Sequence, residues 1–323
     1  MAKYILLITA VIFFALNMGG SGFGVSFASS YGAKMLSRWK ACILFGVFVV
    51  LGAVVLGQPV AQTLGSKIVR AGFLSKDTVI IILVSASACL LLANLIHIPQ
   101  STSLVTVWAI AGVGMYFHSV NWKTILYMVP FWFLFPVLGY FVTRFIGGKV
   151  YPPRNDNFWV YEKLVNHESR LRKLVIAANC YNAFSVGANN VANAAGPLFG
   201  AGITGKDAAL LSIAPLFGIG SVVFPGALKT TGSDIVPLGT VAATIVCFVT
   251  GTLMIAASLL GVPQSIVMIK VASVVAIDAL KNAERNPFSN PVTRKMYILW
   301  AINPVIAFIM AYSLAYVRFG IMK

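Results

Sequence analysis

The feature that most constrains this chain is a series of long apolar runs. They occupy about 4–33, 41–57, 78–97, 101–117 and 123–146, then about 171–203, 207–225, 238–260, 264–281 and 295–318. Wound as helix, roughly 17–25 residues cross the ~30 Å of hydrocarbon in a bilayer. Backbone groups in lipid must bond internally, which leaves helices or closed barrels. The alternating pattern of barrel strands is absent. With 59% hydrophobic and 10% charged residues, the chain could not cover a water-facing surface. The sequence predicts an all-α, polytopic membrane protein. Lys3 followed by Tyr4–Leu16 has the outline of a signal peptide, but with so many later spans an uncleaved first membrane helix is the simpler reading.

The formal charge of +16 falls between apolar runs rather than on a basic face with interleaved aromatics. It therefore argues for membrane topology and contact with anionic lipid, not for a nucleic-acid partner. Cys42, Cys89, Cys180 and Cys247 lie in or beside apolar runs without metal-binding or pairing spacing, and read as packing residues. Scattered histidines and scarce acids offer no catalytic or metal constellation and no cofactor site, which argues against an enzyme. No nucleotide-binding P-loop is present.

The halves repeat. At an offset of about 168, Trp132–Pro136 (WFLFP) matches Trp300–Pro304 (WAINP), and Thr63–Val69 matches Thr230–Val236. Ile98–Ser101 (IPQS) matches Val262–Ser265 (VPQS), and Gly19 and Gly32 match Gly187 and Gly200. This divides the chain into a first repeat, 1–146, a polar linker, 147–170, and a second repeat, 171–323. Five runs per repeat, an odd number, make successive units enter the membrane from opposite sides. The fold expected is two inverted-topology repeats of about five segments, with broken or re-entrant helices; 78–97 and 101–117 form one candidate re-entrant hairpin. Lys34, Arg38, Lys40, Lys281, Arg285, Arg294 and Lys295 fall on the linker side, against Lys67, Arg70 and Lys76 opposite. The balance places the linker in the cytoplasm and the termini outside.

Inverted repeats place substrate where helices break, and two breaks are expected in each half. The first is Gly187-Ala188-Asn189-Asn190-Val191-Ala192-Asn193, with Gly196-Pro197 following; its first-half counterpart holds Gly19, Ser21 and Gly22. Asparagine amides both donate and accept, and are costly in an apolar run unless bonded. They also glue helices together, which is the structural alternative. The second break is Pro99-Gln100-Ser101-Thr102-Ser103, mirrored by Pro263-Gln264-Ser265. A proline followed by hydroxyls reads as a helix N-terminus, whose free N–H groups and positive dipole end favour oxyanions; ordinary capping is the alternative.

Gly187–Pro197 resembles the GANDVANAxGP signature of the inorganic phosphate transporter (PiT) family, and Pro99–Ser103 its PVSTT motif. The resemblance implies a helical, inverted-repeat secondary transporter of inorganic oxyanions, commonly a homodimer with paired re-entrant hairpins. Several positions depart from it. The signature aspartate is Asn190, and in the first copy the three polar positions are Ser21, Gly22 and Val25. In the second PVSTTH copy the threonines and histidine become Ile266, Val267 and Met268. The family's sodium coordination leans on those aspartates. The pattern is similar to the sulfate permease (CysP-like) branch.

Chemistry points the same way. Phosphate near neutral pH keeps a proton and profits from a carboxylate acceptor, whereas sulfate only accepts. A site of amides, hydroxyls and N–H groups suits sulfate. Lys270, inside an apolar run and matching Thr106, either supplies positive charge to the anion or stands where a coupling cation would bind; snorkelling is its structural alternative. The function expected is secondary sulfate uptake, proton-coupled and not sodium-coupled, with His97 a candidate proton carrier. A phosphate transporter of the same family is the alternative, and a receptor or channel the alternative from another class.

Overall fold

The computed structural model describes residues 1–70, 72–95, 100–150, 155, 157–165, 167–224, 239–281 and 291–320. In the first half run α1 (Ala2–Gly32), α2 (Arg38–Leu56), α3 (Gln58–Gln62) with a π-helical turn at Thr63–Lys67, α4 (Lys76–Leu95), α5 (Thr102–Tyr116) and α6 (Trp122–Val150). A short helix, α7 (Phe158–Val165), lies in the linker. The second half holds α8 (Glu168–Asn190), α9 (Ala192–Gly200), α10 (Lys206–Val223), α11 (Thr240–Leu259), α12 (Ile266–Lys281) and α13 (Pro291–Gly320). Seven of these are long and apolar enough to cross a membrane. Their outer faces are greasy: Phe133 and Phe145 on α6 are each 66% exposed, as is proper only where lipid is the solvent.

The halves correspond helix by helix, α1 with α8–α9, α2 with α10, α4 with α11, α5 with α12 and α6 with α13. Packing respects that correspondence: α1 lies on α10 as α8 lies on α2, and α5 on α13 as α12 on α6. Glycines make the first pair of contacts possible. A Cβ on Gly19 would meet the Phe217 backbone, and one on Gly187 the Val49 backbone, residues that are also 168 apart. Gly52 against Phe184 and Gly220 against Leu16 repeat the relation. Two of the corresponding pairs, α1 with α8 and α2 with α10, run antiparallel. Along α1, Val25 meets Asn182, Ser29 and Ser30 meet Asn179, and Met35 beyond the helix end meets Arg172, so one number rises as the other falls. For α2 and α10, Arg38 donates to Val222 O at one end and Gln58 pairs with Asp207 at the other. Lys3, Asp77 and Arg318 cluster at one end of the bundle. Both described termini therefore lie at the end opposite the Arg38–Arg172 side, where the linker enters α8.

One expectation is corrected. The Gly19–Phe27 stretch is no interruption: α1 is continuous to Gly32, whereas its counterpart breaks at Val191 between α8 and α9. Gly19, Gly20 and Gly22 are helical positions spent on close approach to Phe217, Phe224 and Val186. Thr230–Val236, His97 and Pro99 lie outside the described residues.

Candidate functional site

The site is built around two short helices. With 15 and 16 residues, α5 and α12 span about 22–24 Å at 1.5 Å per residue, less than a bilayer core. They do not lie side by side; they meet at their N-termini. Ser103 Oγ donates to Gln264 O at 3.0 Å and accepts from Asn193 Nδ2 at 3.1 Å. Ser103 just past the first break, Gln264 in the second and Asn193 of the asparagine motif thus reach one point. Trp132 secures the second break from the first half, its Nε1 donating to Pro263 O at 2.9 Å. This explains why the tryptophan motif accompanies the break motif in the sequence.

The predicted residues divide by role. Asn189 is consumed by architecture: Nδ2 donates to Ser258 Oγ and Val262 O, each at 3.0 Å, and Oδ1 accepts from Gln264 N at 2.9 Å. Ser265 caps α12, its Oγ accepting from Met268 N at 3.3 Å. Its counterpart Ser101 makes no side-chain cap bond, and its buried Oγ has no partner. Thr102 opens α5 and is buried. Among the described residues, twelve buried side-chain polar atoms lack a partner, and seven belong to this point: both amide atoms of Gln100 and of Gln264, Ser101 Oγ, Asn190 Oδ1 and Asn193 Oδ1. Unpartnered buried polar groups cost about 1–3 kcal/mol each, so such a concentration makes this point the candidate site.

Gly19 and Gly22 are occupied by packing, and Ser21 on α1 is half-buried. Lys270 is also drawn away from the cluster. Buried on α12, it donates to the Val25 carbonyl of α1, which also accepts from Asn182 Nδ2 at 3.4 Å. That carbonyl heads a polar seam between α1 and α8. Ser29 Oγ donates to Asn179 Oδ1 at 3.2 Å, and Asn179 Nδ2 donates to Ser30 Oγ at 2.7 Å. Sequence reasoning missed this seam. The signal was present: Asn179, Asn182 and Asn189 fall within roughly an 80° arc of α8. The carboxylates that the described membrane helices carry stand elsewhere: Asp77 pairs with Arg318 at 2.8 Å, Asp207 accepts from Gln58, and Asp278 lies about 20 Å along α12 from Ser265.

The model of the phosphate transporter family matches residues 18–150 and 154–311, which hold every part of this site. The chain belongs to that family. It is accordingly a multi-pass membrane transporter and not an enzyme. The sulfate permease CysP of Bacillus subtilis is 30% identical over 94% of this chain and 84% of its own. A Thermococcus kodakarensis protein provisionally named a phosphate permease is 23% identical over 95% and 96%. In fold, the chain is similar to a solved structure titled the sodium-dependent phosphate transporter, with a TM-score of 0.85, 23% identity, and 98% and 99% of the two chains covered.

Proposed function

We propose that this family member carries a tetrahedral inorganic oxyanion across the membrane, and that sulfate is the anion its site fits best. The observation that carries the reading is the chemistry of the unpartnered cluster. Gln100, Gln264 and Ser101 offer amide and hydroxyl donors at the mouths of two helix N-termini, with no carboxylate bonded to them among the described residues. Helix N-termini add partial positive charge and free N–H groups. Hydrogenphosphate would leave a proton there without an ionised acceptor, while sulfate asks only for donors. The name and coverage of the Bacillus subtilis relative support the same choice; the phosphate names of other relatives support phosphate as the competing substrate.

The antiparallel correspondence of the halves supports alternating access about a central site, with the halves as inverted repeats. The excess of lysine and arginine supports a cytoplasmic linker and external termini. Carrying a dianion inward against 100 mV costs about 4.6 kcal/mol, twice about 2.3 per charge, so a cation must accompany it. With Asn190 where the family carries an aspartate, protons rather than sodium fill that role.

The test is radiolabelled sulfate uptake into proteoliposomes, with competing anions and imposed pH or sodium gradients. The expected result is uptake that an inward proton gradient raises and a sodium gradient leaves unchanged. Sodium-driven phosphate uptake without sulfate uptake overturns the reading.

A further inference from the structure

Lys270 and Asp278 are the buried charged side chains among the described residues. No carboxylate among those residues pairs with Lys270. Its one acceptor, the Val25 carbonyl, is shared with Asn182. An ammonium left so in a membrane interior is costly, and a shared neutral carbonyl does not offset the lost hydration. An anion beside it would.

The site lies along the same element: Lys270 is five residues beyond Ser265, the residue that caps α12, about 7.5 Å of rise, and helical side chains lean toward the N-terminus, here toward Gln264. Along α8, Asn182 and Asn189 are about 10 Å apart by the same rule. A flexible lysine stem covers part of such a gap, and an anion seated at the break covers the rest.

We infer that Lys270 is the proton carrier of the transport cycle. It meets the anion as an ammonium, gives up its proton on the side where the anion leaves, and rests as an amine on the Val25 carbonyl. Atoms and charge balance simply: one proton from one side joins the amine as the anion binds, and both depart on the other. Because the anion is what makes the charge tolerable, proton and anion affinities rise together, as linkage requires. Among the described residues few other groups compete for the role; His97, the other candidate, lies outside them. Of the helices packed on α12, α11 brings Cys247, α6 carries its charges Lys123, Arg144 and Lys149 at exposed positions, and α1 holds Lys3 far off at its start. Asp278 is eight residues further along α12.

The inference rests on the oxyanion reading, and the experiment keeps the two apart. In weakly buffered detergent solution, sulfate binding to the wild-type protein should take up about one proton. K270R, whose guanidinium does not deprotonate, should take up none. In proteoliposomes K270R should lose at least tenfold in sulfate accumulation driven by a pH gradient. K270M should lose both proton uptake and accumulation, with wild-type thermal stability as the control for folding. Wild-type binding without proton uptake overturns the inference, as does K270R accumulating sulfate like wild type. If phosphate alone binds, the sulfate reading fails, and proton uptake on phosphate binding still decides the role of Lys270.

Discussion

Replacing a buried glutamine by leucine should make the empty protein more stable and shrink the further stabilisation that sulfate brings. Gln100 and Gln264 each bury both amide atoms without a partner. Leucine, of similar volume, removes that desolvation penalty, so the ligand-free protein should gain about 1–2 kcal/mol, discounted from about 1–3 per orphaned group. The backbone at Gln264 should hold, because Asn189 and Ser103 bond its N–H and C=O rather than its side chain. A hydrogen bond to a charged group is worth about 1.5–3 kcal/mol, so losing one weakens sulfate binding about 10- to 150-fold. At a sulfate concentration of 100 Kd, ligand stabilises the wild type by about 2.7 kcal/mol. In Q264L the same concentration should supply only about 0.3–1.3 kcal/mol. The assay is thermal or chemical unfolding in detergent across a sulfate titration. A variant that loses more than about 1 kcal/mol when empty and keeps its sulfate shift would refute the reasoning, since the amide would then be a structural bond.

The two serines that open the short helices should part company. Ser265→Ala removes a cap bond from α12 and should cost about 1 kcal/mol of stability. Ser101→Ala removes a hydroxyl with no protein partner, and should leave stability unchanged while raising the sulfate concentration for half-maximal uptake. Gly19→Ala and Gly187→Ala should destabilise alike, by 1–3 kcal/mol or more on the scale of overpacking. Each new Cβ would press on backbone of the opposite half, 2.6 Å from Phe217 Cα in one case and 2.8 Å from Val49 C in the other. Thermal unfolding of the two variants side by side checks it; a large difference between them would break the proposed equivalence of the halves.

Much of the site was legible from residue types. The Pro-Gln-Ser breaks and the asparagine motif stood out because polar residues in an apolar run need a reason. Their division of labour was not legible. Asn189 and Asn190 are neighbours of one type, yet one spends its amide on Ser258, Val262 and Gln264 while the other has an unpartnered oxygen. The first-half motif misled in the opposite direction. Glycines read as a place to break a helix served to let α1 touch α10 and α8, since a missing Cβ permits both and sequence does not say which.

By itself, the sequence determined the helices, their approximate ends and the duplication. In lipid every backbone group must bond within its own helix, so length and hydropathy suffice. Only the tertiary structure decided which polar groups have partners. Asn189 bonds a residue 75 positions away, and Lys270 one 245 positions away. Such partners are chosen by the packing of whole helices against one another, a property no local pattern encodes. That choice left the amides of Gln100 and Gln264 unpaired and brought the lysine to rest on a carbonyl of the other half.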